Sequence, residues 1–134
     1  FFFFLSREKE FSDAVTLDMM LTALFHDIPE AITGDIITPT KKAVPGLEAA
    51  IESIEEEMIE EYLLSYLDGY GFRSLYKKKM LTPWKEDHGD LVKLADMYSA
   101  LYEAKIEIPH NAEFQEVYDR ILDRMREKFP TEII

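Results

Sequence analysis

Apolar positions recur at helical rather than strand spacing along nearly the whole 134-residue chain, and no alternating segment stands out. Between Ala14 and Phe25, the residues Leu17, Met20, Leu21, Leu24 and Phe25 share one stripe, while Met19 and Ala23 are apolar on the opposite side. That distribution predicts a central helix packed on several sides. Leu47, Ile51, Ile54, Met58, Tyr62 and Leu63 stripe a second helix, whose Glu48, Glu52, Glu55, Glu56, Glu60 and Glu61 read as a solvated acidic face. Leu91, Leu94, Ala95, Tyr98, Leu101 and Tyr102 mark a third helix, running to about Lys105. Phe114, Val117, Ile121, Leu122, Met125 and Phe129 mark a fourth, with Arg120, Arg124, Arg126 and Lys128 toward the end where cations suit the helix dipole. Gly34, Pro39, Pro45 and Gly46 predict an irregular loop over 34–46, and a second irregular stretch is expected near Asp68 to Gly71.

These elements predict an all-α protein, a compact helical bundle in a single domain spanning residues 1–134. With 47% apolar residues, a chain of this length can bury roughly two thirds of its unfolded surface. The opening "FFFFLS" reads as a piece of a helix, so residues upstream of Phe1 are expected. It is too short to span a bilayer and lacks the basic flank of a signal peptide.

Charge narrows the partners. A net charge of −12 argues against a nucleic-acid backbone or an anionic membrane, both of which need a basic face. A bound phosphate must therefore be small and locally compensated. The absence of cysteine removes disulfides, thiolate metal sites and cysteine nucleophiles, and suits a reducing cytoplasm.

The stretch "ALFHDIPEAITGD", residues 23–35, sets polar groups at the end of the most apolar helix. One reading is structural: Asp27-Ile28-Pro29-Glu30 has the form of a helix N-terminal box, with Asp27 capping and Glu30 reaching back. The other is chemical, with the His26 imidazole and the Asp27 carboxylate as metal ligands. Two adjacent residues cannot close such a site, and only three histidines exist in the chain. His88 and His110 lie in polar, loop-like surroundings and read as surface residues. Periodicity sets Asp96 on the flank shared by Val92, Ser99 and Glu103, a solvated position. Trp84, the only tryptophan, reads as a core or interface anchor, with base stacking as the alternative.

"ALFHDIPEAITGDIITPTKK", followed some sixty residues later by "LVKLADMYSAL", resembles the HD-domain superfamily of metal-dependent phosphohydrolases. Within it, the likeness is closest to the 5'-deoxynucleotidase branch, which removes phosphate from deoxynucleoside monophosphates. The resemblance implies an HD-like helical fold, a divalent cofactor (Mn, Co, Mg, Zn or Fe) and metal ligands in an H…HD…D order. His26 and Asp27 match the doublet and Asp96 the final Asp, while the first His is expected upstream of Phe1. Glu30 and Asp35 match the two later carboxylates and are the expected catalytic residues. Asp35 is favoured for the general-acid or water-positioning role because Gly34 beside it lets backbone approach a ligand, with Glu30 supporting the site from behind or serving as the alternative base. Lys41, from the T-P-x-K run, and Lys93, one helical turn before Asp96, are expected at the substrate.

The expected function is release of phosphate from a small nucleotide by a cytoplasmic enzyme, with a homodimer admitted by the resemblance and the aromatic content. Two alternatives stand beside it: a non-catalytic helical module for oligomerisation or partner binding, and an HD phosphohydrolase acting on another nucleotide phosphoester.

Overall fold

A computed structural model describes residues 1–131, with the side chains of residues 2–4 and 38 left aside; the last three residues of the expected 1–134 domain lie outside the described residues. Among those described, every regular element is a helix, as the 3.6-residue periodicity requires. The chain divides into two compact units, Phe1–Met20 with His88–Ile134, and Leu21–Asp87.

The first unit contains α1 (Phe2–Glu8), the start of α2 (Asp13–Phe25), α7 (Gly89–Glu107) and α8 (Phe114–Lys128). The Ser12 hydroxyl accepts the Val15 N–H at the start of α2, the usual service of a serine at a helix N-terminus. α7 buries Leu91, Val92, Leu94, Ala95, Leu101 and Ala104, spaced three and four apart. α8 packs against it and buries Met125, while the Asn111 side chain accepts the Glu113 N–H in the turn between the two helices. Phe1 stacks on Tyr98 at 5.8 Å and meets Tyr102 edge-on at 5.9 Å, tying the chain's start to α7.

α2 corrects the sequence expectation of a central helix packed on several sides. Its buried positions are Thr16, Met19 and Thr22, whereas Leu17 and Leu24 are 59% and 69% exposed and Met20 is also exposed. Burial is therefore deepest on the side of Thr16, Met19 and Thr22, and of the predicted stripe Leu17, Met20 and Leu24 are exposed while Leu21 and Phe25 are partly buried.

The second unit holds the end of α2, then α3 (Glu30–Thr33), α4 (Thr38–Ala43), α5 (Leu47–Tyr62) and α6 (Arg73–Leu81). Two 3-10 turns, Leu64–Leu67 and Pro83–Lys85, flank α6. Ile59, Leu64 and Met80 form its core, with Phe25, Ile28, Ile32, Leu67, Tyr76 and Leu81 packed around them. The expected 34–46 loop contains α4, because Pro39 falls in its first turn, where a missing N–H costs no helical hydrogen bond.

The acidic face of α5 is not wholly solvated. Arg73 pairs with Glu60 and, through Nε, with Asp68 at 2.8 Å; Lys77 reaches Glu60 at 2.5 Å and Glu56 at 3.3 Å. The hydrogen bond from Lys77, joined by that from Arg73, holds the Glu60 carboxyl below its usual range, and the same bond raises Lys77. These contributions are complete between the ordinary carboxylate and ammonium ranges. They fade as pH falls through the lowered Glu60 value or rises through the raised Lys77 value. All three side chains are about one third exposed, so Glu60→Gln is expected to cost only about 1 kcal/mol at neutral pH. Urea denaturation of both proteins should show that difference closing on acidification below about pH 4.

Candidate functional site

The chemistry-bearing segment begins where α2 stops. His26 continues the helical hydrogen bonding, its N–H donating to the Thr22 carbonyl at 3.0 Å, and its ring Nδ1 lies 2.7 Å from the Ala23 carbonyl. A carbonyl can only accept, so Nδ1 donates its proton there, which leaves Nε2 as the ring nitrogen on the Asp27 side. Asp27 Oδ1 stands 2.9 Å from that nitrogen. A nitrogen lone pair and a carboxylate oxygen converging so closely need a cation between or beside them, either a proton or a metal ion.

The backbone carbonyl behind the ring fixes the tautomer in the way that supporting groups do for metal-ligating histidines. The ring is 12% exposed and the Asp27 side chain 65%, so a largely buried imidazole sets Nε2 toward an exposed carboxylate. An imidazole nitrogen beside a carboxylate oxygen is a donor set whose chemistry suits a divalent ion. The capping-box reading of Asp27 and Glu30 is not what forms. Pro29 stands at the N-cap of α3 with no side-chain cap hydrogen bond, and Glu30 N–H donates to the Asp27 backbone carbonyl at 3.0 Å.

Glu30 opens α3 half-buried. Burial pushes its carboxyl above the usual range, the charges of Asp27, Asp35 and Glu55 add to the rise, and Lys41 opposes it. Asp27, Glu30, Asp35 and Lys41, four of the residues singled out from sequence, therefore share one electrostatic neighbourhood. Thr33 at the end of α3 donates from its hydroxyl to Glu55 Oε1 of α5 at 2.8 Å, which anchors the turn leading to Asp35. Sequence reading assigned Glu55 to a solvated face. Its distinguishing signal, a partner 22 residues away, does not exist in one dimension.

Gly34 between Thr33 and Asp35 has φ 78° and ψ 162°, a region essentially confined to glycine. A Cβ there would meet no atom within 4 Å, so the restriction is torsional rather than steric crowding by neighbours. Gly34→Ala is expected to destabilise the protein by about 1–3 kcal/mol in a denaturation curve and to displace Asp35.

Trp84, half-exposed on the Pro83–Lys85 turn, meets the His26 ring edge-on at 5.2 Å between centroids. Lys41 lies in the last turn of α4 and, with Lys42, Val44, Pro45, Gly46, Glu48, Ala49 and Glu52, lines an open groove of about 510 Å³. Asp96 and Lys93 belong to α7 of the other unit, Asp96 exposed as its periodicity implies. His88 starts α7 with φ 59° and its ring lies against Phe11 at 4.7 Å, and His110 is exposed in the turn after α7. Among the described residues, no group of three or more His, Asp or Glu side chains is arranged to hold a metal ion. No helix among them is long and apolar enough to cross a membrane.

A helical fold with an adjacent His-Asp donor pair at a helix end, and further carboxylates one turn on, is the form of an HD-type phosphohydrolase. The chain belongs to the YfbR-like 5'-deoxynucleotidase family, whose model matches residues 2–134. No curated protein and no solved structure matches it significantly.

Proposed function

We propose that the protein is a metal-dependent phosphohydrolase that releases phosphate from small nucleotides, with 5'-deoxynucleoside monophosphates as substrates. The observation that carries the reading is the His26 Nε2 to Asp27 Oδ1 approach, with Nδ1 committed to the Ala23 carbonyl, in a chain of this family. His26 and Asp27 would hold the ion, and Asp96 of "LVKLADMYSAL" is taken as a third ligand on the motif resemblance. Bound there, a divalent ion supplies Lewis-acid stabilisation of charge on phosphate oxygens and makes water more acidic.

The chain's own residues perform the rest. Asp27 stays exposed enough to meet a ligand while His26, nearly buried, keeps a fixed ring. Glu30, with its carboxyl raised by burial, is suited to take a proton from the attacking water and return one to the departing sugar 5'-oxygen. Asp35, exposed beside Gly34, orients that water. Lys41, close enough to act on Glu30, offers a cation for the phosphate dianion within an otherwise acidic neighbourhood, and Lys93 is assigned the same task.

A phosphate-release panel tests the reading. Purified protein with Mn²⁺, Co²⁺, Mg²⁺, Zn²⁺ or Fe²⁺ is offered deoxynucleoside monophosphates, ribonucleotides, triphosphates and cyclic nucleotides. Release from the deoxynucleoside monophosphates that chelation abolishes supports it. Release only from another class moves the substrate, and no release under any condition favours the non-catalytic module.

A further inference from the structure

Lys79 is the one fully buried lysine among the described residues, at 0% exposure in α6. An ammonium taken out of water costs several kcal/mol unless it is hydrogen-bonded and paired, so its partners define what it holds together. Nζ donates to the Thr22 hydroxyl at 2.9 Å and lies 3.5 Å from Glu86 Oε2. Both partners are also withdrawn from solvent: Thr22 is 1% exposed and the Glu86 side chain 15%.

These two partners stand on either side of His26. Thr22 is one helical turn before it on α2 and receives its N–H. Glu86 directly follows the Pro83–Lys85 turn that carries Trp84, whose ring meets the imidazole. One ammonium thus links the helix end that bears the imidazole to the turn that packs against its ring. Neither link touches the ring nitrogens. Lys79 therefore bears on the direction in which the ring points, rather than on its chemistry.

We propose that Lys79 is a positioning residue for His26: through Thr22 and Glu86 it clamps the Trp84 turn against the last turn of α2. The clamp keeps Nδ1 on the Ala23 carbonyl and Nε2 aimed at Asp27. Its importance for catalysis rests on the phosphohydrolase reading, but its structural consequence is measurable without metal or substrate. A lysine that merely filled space would be replaced by methionine without consequence for the histidine hydrogen bond.

Lys79→Met removes the ammonium at similar volume, and Thr22→Val removes the hydroxyl acceptor. Two readouts on metal-free protein report the clamp: the Nδ1–H of His26 in long-range ¹H–¹⁵N spectra, and the emission of Trp84, the sole tryptophan. The proposal expects wild type to show a His26 Nδ1–H held in a hydrogen bond to the Ala23 carbonyl, and each variant to lose or weaken that bond, with red-shifted emission. In titrations with Mn²⁺ alone, followed by Trp84 emission, affinity should fall about tenfold or more, as for other residues that support a metal ligand. Circular dichroism checks folding, and if Lys79→Met is unfolded, Thr22→Val decides. Folded variants with an unchanged Nδ1–H hydrogen bond and unchanged emission overturn the proposal. Wild type that releases no phosphate defeats the phosphohydrolase reading while leaving this result in force.

Discussion

Asp27→Ala is expected to lower phosphate release from deoxynucleoside monophosphates by at least about 10³-fold, corresponding to the several kcal/mol that a bound metal contributes to transition-state stabilisation. The same substitution should barely affect stability. The Asp27 side chain is 65% exposed and its visible partner is the adjacent imidazole, an arrangement that contributes about 1 kcal/mol or less. The informative result is therefore a split: rate and Mn²⁺ affinity collapse while the thermal midpoint stays within a few degrees. Asp96→Ala should behave alike if α7 supplies the third ligand. Hydrolysis persisting at the wild-type rate in both variants would remove the assigned site.

The second large effect concerns the two carboxylates after the doublet. Glu30→Gln keeps the size of the side chain and removes its ability to exchange a proton, so kcat is expected to fall about 10²- to 10⁴-fold with little change in KM. Because burial and the neighbouring acidic charges raise Glu30, a base role requires activity to decline on the acid side earlier than an ordinary carboxylate would cause. That limb of the kcat profile should vanish in Glu30→Gln. Asp35→Asn is expected to cost less, since an exposed residue orienting water can be partly replaced by its amide. A larger loss for Asp35→Asn, with the acid limb kept in Glu30→Gln, would exchange the two roles.

The helical character of the fold was legible because period 3.6 is written into positions such as Leu91, Leu94, Leu101, Met125 and Phe129, all of which are buried. The proximity of the doublet, Glu30 and Asp35 was legible for a different reason. These residues lie within ten residues, so local chain geometry alone keeps them near one another. Where the reading of elements failed, a local signal had two meanings. Pro39 punctuates a loop or starts a helix, and α4 takes the second; the Asp27–Glu30 spacing fits a cap, yet the Asp27 carboxylate lies beside His26.

By itself the sequence determined the helices, the net acidic charge and the position of the His-Asp doublet at the end of α2. Tertiary structure decided which face of α2 is buried: Thr16, Met19 and Thr22 are withdrawn from solvent, with Lys79 donating to the Thr22 hydroxyl, while Leu17, Met20 and Leu24 are exposed. It also decided that Glu55 anchors Thr33 and that Trp84 packs on His26. Those contacts join residues tens of positions apart, and whether a polar side chain is solvated or bonded depends on what the folded chain brings beside it, a relation that spacing along the sequence does not encode.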